Sequence, residues 1–293
     1  MPAENPLILT APARAKLNLF LAVTGRRADG YHLLDSLVAF ASIADQLTAT
    51  DADTLTVRVS GPFAAGAGPD QDNLVLRAAR ALQRATGCTR GASLQLEKNL
   101  PSGAGLGGGS SDAAMTLRLL NRLWDLGLGL SGLEKIGLSL GADIPVCLYA
   151  QTARMSGIGE QLLPVEPLPE IDLVLVHPGV GLSTPAVFKA LAGRFTQAPP
   201  PLPPNISAPG ALLEVLKRTA NDLETPACEL LPDISEMLAN LRSQPGCLIA
   251  RMSGSGSACF GLFADTISAT RAEQALVATH PHWWAKAGKL DQQ

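Results

Sequence analysis

Between Ala13 and Thr24 apolar and polar positions alternate: Ala15, Leu17, Leu19, Leu21 and Val23 share one side, Lys16 and Asn18 the other. That period of two predicts a strand. It returns in Leu55, Val57 and Val59, and again in Leu94 and Leu96. Helical spacing takes over elsewhere. Leu74, Ala78, Ala81, Leu82 and Ala85 follow a capping Asp72 or Asn73 and precede Gly87. Met115, Leu119, Leu120 and Leu123 form a second such series, with Gly127 as its stop. Ser131 and Glu134 have capping-box spacing for a short helix that Gly141 closes. The apolar run Val146 to Tyr149 after Pro145 reads as a strand, which places Asp143 at a helix-to-strand junction. Further on, Ile171 to Val176, Cys247 to Met252 and Ala258 to Phe263 read as strands. Pro209 to Arg218, Asp233 to Arg242 and Ile267 to Thr279 read as helices. Thr184-Pro185 supplies an N-cap and first helical position ahead of Val187, Phe188 and Leu191. Pro164, Pro167 and Pro169 cluster where a boundary is expected, dividing the chain into domains 1–164 and 165–293. Pro62 to Pro69 reads as a loop. The P-P-P-L-P-P run, Pro199 to Pro204, reads as a polyproline-II surface loop in preference to a proline-rich ligand.

Composition narrows the function classes. The 293 residues are 46% hydrophobic and 17% charged, which is the make-up of a globular chain. Aromatics are only 4%, so the core rests on Leu, Val, Ile and Ala. A net charge of −3 without a basic stripe argues against nucleic acid as a partner. No apolar run reaches the roughly 18 residues a membrane helix needs, and M-P-A-E-N-P lacks the basic and apolar regions of a secretory signal. Cys88, Cys147, Cys228, Cys247 and Cys259 are odd in number and scattered, as in a reduced, cytoplasmic protein.

The candidate chemistry centres on L-P-S-G-A-G-L-G-G-G-S-S-D-A, Leu100 to Ala113. Glycines 103, 105, 107, 108 and 109 can expose successive backbone N–H groups to a bulky anion. The run opens a helix, whose N-terminus has unpaired donors and about half a positive charge. A nucleotide phosphate cradle is therefore expected; a flexible turn is the plain alternative. No lysine follows Gly109, which excludes a Walker A loop. Gly103, Gly105 and Gly108 match G-x-G-x-x-G, but a dinucleotide-binding loop belongs in the first strand-helix unit. A protein-kinase loop leads into a strand, not a helix.

Three other places draw notice. Lys16 and Asn18 project from a strand whose opposite side is wholly apolar, and Lys16 is either a site residue or a solvated strand lysine. Asp29-Gly30 marks a tight turn, from which Tyr31 and His32 emerge. Their rings can stack on and hydrogen-bond a planar group, or be a part-buried tyrosine and a surface histidine. Asp143 in G-A-D-I-P is a site carboxylate or a turn aspartate bonding its own backbone.

Taken together, these segments carry a resemblance. P-A-R-A-K-L-N-L, the glycine run, G-A-D-I-P and M-S-G-S-G-S-A-C-F resemble the motifs of the GHMP kinases, and the likeness covers nearly the whole chain. R-A-D-G-Y-H-L-L resembles the member that acts on a cytidine diphosphate-linked methylerythritol. The resemblance implies an α+β, two-domain fold. Its N-terminal part is similar to the second domain of ribosomal protein S5, its C-terminal part is ferredoxin-like, and the active site lies in the cleft between them. It implies ATP-dependent phosphorylation of the 2-hydroxyl of that small-molecule acceptor. Lys16 and Asp143 match the catalytic pair. Pro101, Ser102, Gly103, Ala104, Gly105, Leu106, Gly107, Gly108, Gly109, Ser110 and Ser111 match the ATP loop. Tyr31 and His32 match residues that hold the cytosine, Phe188 looks like the second wall of that sandwich, and Asn18 and Thr184 look like further substrate contacts. Mg2+ is expected with ATP, with Ser110 or Ser111 as its protein ligand. Ser102, Ala104 and the Gly254-Ser255-Gly256-Ser257 sequence depart mildly from the family pattern, and P-P-P-L-P-P matches none of its motifs. The rivals are another GHMP activity, such as a homoserine or mevalonate kinase, a regulator that binds nucleotide without catalysis, and a Rossmann oxidoreductase.

Overall fold

A computed structural model describes residues 7–68 and 73–290. The cap expected at Asp72 and the end of the Pro62 to Pro69 loop therefore lie outside the described residues. In chain order the strands are β1 (Ile8–Arg26), β2 (His32–Ala52), β3 (Leu55–Ser60), β4 (Gly91–Glu97), β5 (Ala153–Gly157), β6 (Gln161–Pro164), β7 (Asp172–His177), β8 (Cys247–Met252), β9 (Cys259–Phe263) and β10 (Trp284–Lys289). The helices are α1 (Leu74–Thr86), α2 (Gly108–Leu123), α3 (Leu130–Leu138), α4 (Ile144–Tyr149), α5 (Thr184–Ala190), α6 (Pro209–Arg218), α7 (Glu224–Leu230), α8 (Asp233–Ser243) and α9 (Thr266–Thr279). These fall into two compact units. The first takes Met1–Ala15, Ala44–Ser102 and Gly107–Tyr149; the second takes Lys16–Ile43, Gly103–Leu106 and Ala150–Gln293.

In the first unit β3 runs parallel to β4, with Leu55 opposite Ala92 and Ser60 opposite Glu97. β4 in turn pairs antiparallel with the end of β2, from Gln46 opposite Glu97 to Ala52 opposite Gly91. Ala92, Leu94 and Leu96 are buried while Gln95 and Glu97 are exposed, so β4 offers one apolar face. α1 begins where Asn73 Oδ1 accepts from Val75 N at 2.8 Å and ends at Gly87, whose φ of 71° is left-handed. α3 passes close to α4: a Cβ on Gly137 would lie 2.7 Å from Ile144 Cγ2.

The second unit has a four-stranded antiparallel sheet in the order β10-β7-β9-β8. Its chain order runs strand, helices, two strands, helix, strand, which is the ferredoxin-like arrangement. Val174, Val176, Met252 and Phe263 from this sheet pack with Ile234, Met237, Leu241 and Leu276 from α8 and α9, and with Leu21 and Val23 of β1. The start of β2 pairs with β5, Leu34 opposite Gly157, and β5 pairs with β6.

Local expectations are revised at four points. Val146 to Tyr149 is helical, not extended: Pro145 occupies the first turn of α4, where its missing N–H costs nothing. Ser131 lies inside α3, whose N-cap is Gly129 without a side-chain cap bond. Ser183, not Thr184, is the N-cap of α5. α2 stops at Leu123, and Gly127, at φ 66°, shapes the turn that follows.

Candidate functional site

The glycine run is a backbone device. Gly103, Gly105 and Gly107 have φ values of 66°, 73° and 62°, and alternate with buried Ala104 and Leu106. Left-handed residues alternating with ordinary ones curve a chain so that its N–H groups converge, which is the form of an anion nest. Gly107 is also the N-cap of α2. It carries no side-chain oxygen, so the first amides of the helix are left for another acceptor. At Gly103 an added Cβ would meet only Gly181 Cα, at 3.8 Å.

Within the second unit, three sequence motifs converge. Lys16 N donates to Leu106 O at 2.8 Å, Asn18 N donates to Ser253 Oγ at 3.2 Å, and Ser253 Oγ donates to Gly105 O at 3.2 Å. Ala258 N donates to Ala104 O at 2.9 Å. The approach is so close that a Cβ on Gly105 would lie 2.4 Å from Ser253 O. Lys16 is 4% exposed, and its Nζ donates to Asn18 Oδ1 at 3.0 Å. Asn18 Nδ2 donates to Ser36 Oγ at 2.8 Å, so the amide is held from both ends. The shared strand face expected for Lys16 and Asn18 is thus real, but it is buried, not solvated.

A second cluster in the same unit involves α5. Thr184 Oγ1 lies 2.8 Å from Ser255 Oγ. One turn on, Phe188 stacks on His32 with centroids 4.6 Å apart and planes at 24°. Tyr31, the residue before His32, is 59% exposed. Burial, with Arg26 nearby, lowers the His32 pKa and favours its neutral ring, which offers one donor and one acceptor.

The first unit holds the remaining residues. Ser102 and Gly109 are exposed, Gly107, Gly108 and Ser110 half-buried, Pro101 and Ser111 buried. Ser111 Oγ donates to Arg14 O at 2.7 Å and lies 3.4 Å from Cys147 Sγ on α4. Asp143 stands half-buried just before α4, its carbonyl accepting from Cys147 N at 3.2 Å. Ser111 therefore ties the first turn of α2 to the helix that follows Asp143.

One ionic cluster carries little signal in the sequence. Lys98 Nζ bonds Asp45 Oδ2 and, at 2.8 Å, Asp112 Oδ2; all three side chains are at most 4% exposed. Asp45 Oδ1 also accepts from Asn99 N at 2.6 Å and Leu100 N at 2.8 Å. Lys98 and Leu100 enter the glycine run and Asp112 leaves it, so the cluster grips the run at both ends. Burial, with Asp45 adding to it against the pull of Lys98, lifts the Asp112 pKa to about 7. Burial opposes the Lys98 charge, yet Asp112 and Asp45 hold its pKa above the ordinary value. The available signal was Asp112 at the helix mouth; Asp45 carried none, since it lies in a strand that the alternation rule did not find.

Among the described residues no group of three or more His, Cys, Asp or Glu side chains is arranged to hold a metal, and no helix is long and apolar enough to cross a membrane. None of the five cysteines forms a disulfide.

Residues 73–151 match the GHMP kinases N terminal domain, and residues 204–282 match GHMP kinases C terminal. A 4-diphosphocytidyl-2-C-methyl-D-erythritol kinase of Parvibaculum lavamentivorans is 50% identical over 279 residues, covering 94% of this chain and 96% of its own. One from Rhodospirillum rubrum is 50% identical over 289 residues, covering 99% and 94%. The crystal structure of a 4-(cytidine 5'-diphospho)-2C-methyl-D-erythritol kinase superposes with a TM-score of 0.81 at 38% identity, over 97% of this chain and 100% of that one.

Proposed function

The chain belongs to the GHMP kinase family, and from that premise we propose that it transfers the terminal phosphoryl group of ATP to the 2-hydroxyl of 4-diphosphocytidyl-2-C-methyl-D-erythritol. The products are the 2-phosphate and ADP, and the step belongs to cytoplasmic isoprenoid precursor synthesis by the non-mevalonate route. The observation that carries this reading is the bond from Lys16 N to Leu106 O, which sets the lysine-bearing strand against the glycine run. A phosphoryl donor and a cationic side chain then share one piece of backbone.

Phosphoryl transfer asks a protein for positioning and charge stabilisation. The amides around Gly103 to Gly109 hold the triphosphate. Lys16, fixed by Asn18, faces the charge that develops on the transferred group. Asp143 accepts the proton of the attacking hydroxyl. Magnesium, when bound with the nucleotide, would neutralise phosphate charge, held largely by phosphate oxygens and water. Ser110 and Ser111, at the mouth of α2, are the hydroxyls that would stand beside it; the Ser111 proton goes to Arg14 O, which leaves its oxygen lone pairs for a cation. His32, Phe188 and Tyr31 receive the cytosine, and Asn18 and Thr184 contact the rest of the acceptor. Binding energy gathered at the base orients the distant hydroxyl.

A coupled assay for ADP release decides among the readings. Release is expected with ATP and the diphosphocytidyl acceptor, and not with homoserine or mevalonate. Turnover of either small alcohol in its place would reassign the substrate, and ATP binding without release on any acceptor would favour a regulator.

A further inference from the structure

The segment after α5 is the part of the chain that the family motifs leave unexplained, and its tethers are unusually many. Arg194 donates to Ala190 O and Leu191 O at 3.0 Å each, closing the helix. Thr196 N donates to Val23 O at 3.0 Å, and Thr196 Oγ1 donates to Asp222 Oδ2 at 2.6 Å. Farther along, Arg154 on β5 donates to Pro199 O at 2.6 Å and to Pro200 O at 3.1 Å. The same guanidinium forks onto Asp35 of β2, Nε to Oδ1 at 2.8 Å and Nη2 to Oδ2 at 2.7 Å. A planar donor set can serve two proline carbonyls and a carboxylate at once, which an ammonium group cannot. Proline offers no N–H, so a run such as Pro199–Pro201 can be tied down only through its carbonyls.

Between these tethers stands Phe195. Its ring meets His32 edge-on, with centroids 6.2 Å apart and planes at 64°. Yet the side chain is 42% exposed. A phenyl group fixed on both flanks while left open to water gains little from folding. It does gain if something apolar and flat covers it. His32 therefore has Phe188 stacked on its face and Phe195 in a steeply tilted contact, and Asp35 lies on the same strand as His32.

We propose that Phe195 is a specificity-determining residue, a third aromatic wall for the base of the acceptor, and that Asp35 and Arg154 are positioning residues that hold it through the Pro199 and Pro200 carbonyls. The proposal rests on the cytidine reading given above and extends it to the proline loop. An edge wall limits how wide a ring system fits against His32, so the pocket prefers a one-ring base to a two-ring base.

The test uses the full chain, with turnover kinetics and calorimetric binding of cytidine diphosphate and guanosine diphosphate. Phe195→Ala is expected to raise KM for the diphosphocytidyl acceptor and Kd for cytidine diphosphate by ~3- to 12-fold, the size of an aromatic pair contact. It should narrow the preference for cytidine over guanosine diphosphate and leave KM for ATP within about twofold of the parent value. Phe195→Tyr should restore the parent values. Arg154→Lys should reproduce the Phe195→Ala effect, and add nothing when combined with it. Unchanged acceptor KM and cytidine diphosphate Kd in Phe195→Ala would overturn the proposal, as would an equal rise in both KM values. An Arg154→Lys effect that adds in full to Phe195→Ala would remove Asp35 and Arg154 from it. A parent enzyme that does not use the diphosphocytidyl acceptor at all would instead defeat the function proposed above.

Discussion

Lys16 is buried, at 4% exposed, and its ammonium group is held by an amide that is itself held. Removing it deletes a charge from a prearranged position. Lys16→Ala and Asp143→Asn are each expected to lower kcat by ~10²-fold or more with folding intact, the usual scale of a general-base or charge-stabilising contribution. Steady-state kinetics beside a circular dichroism spectrum checks this, and near-parental kcat in either variant would dismiss that residue's role. Some of this was legible in the chain. Lys16 and Asn18 announced themselves by interrupting an otherwise apolar strand. Asp143 was visible as a carboxylate between apolar runs, but its local structure was misread. Pro145 signals extended geometry for the residue before it, yet the same residue is tolerated in the first turn of a helix, and here the helix wins. Phe195 was not legible at all, because its partner His32 is distant in sequence and nothing local marks it.

A clean period is enough to place an element: β3, β4, α6, α8 and α9 follow the spacing of their apolar residues. β2 was missed because burial on both faces from Ser36 to Ala41 erases alternation. β10, with Ala285 and Ala287 as its apolar positions, gave too weak a contrast. The Lys98 cluster belongs to this scale, since it joins β2, the strand-to-loop junction after β4, and α2. Lys98→Met would leave two buried carboxylates without their cation. A loss of about 3–5 kcal/mol of stability is expected in urea titration, the cost of breaking a buried ion pair from one side. A change under about 1 kcal/mol would show that the cluster carries little net energy.

At the scale of the whole molecule, stability should respond to acid through His177. The ring is 3% exposed; Nδ1 accepts from Gly179 N, and Nε2 has no hydrogen-bond partner among the described residues. Burial lowers its pKa to about 4 from 6.5. The unfolded chain then binds a proton that the folded one refuses, so stability is lost as pH falls between those values, by on the order of 3 kcal/mol. Asp112 acts in the opposite sense, because a folded pKa raised to about 7 favours the native state as pH falls below that value. Comparing variants isolates the histidine: thermal melts of His177→Leu from pH 7 to pH 4 should fall less steeply than those of the parent. Parallel curves would assign the acid response elsewhere.

The second unit is assembled from pieces far apart in the chain, Lys16–Ile43, the short Gly103–Leu106 and Ala150–Gln293. A ribosome delivers the first piece and must then add roughly a hundred residues before the long last piece begins, about 5–20 seconds of synthesis. Throughout that wait Leu17, Leu19, Phe20, Leu37 and Val38, all buried in the finished molecule, have only part of their final surroundings. The nascent polypeptide thus carries an orphaned, strand-forming stretch, and its yield in a cell should depend on how well holdase chaperones shelter that stretch until the remainder of its unit is translated.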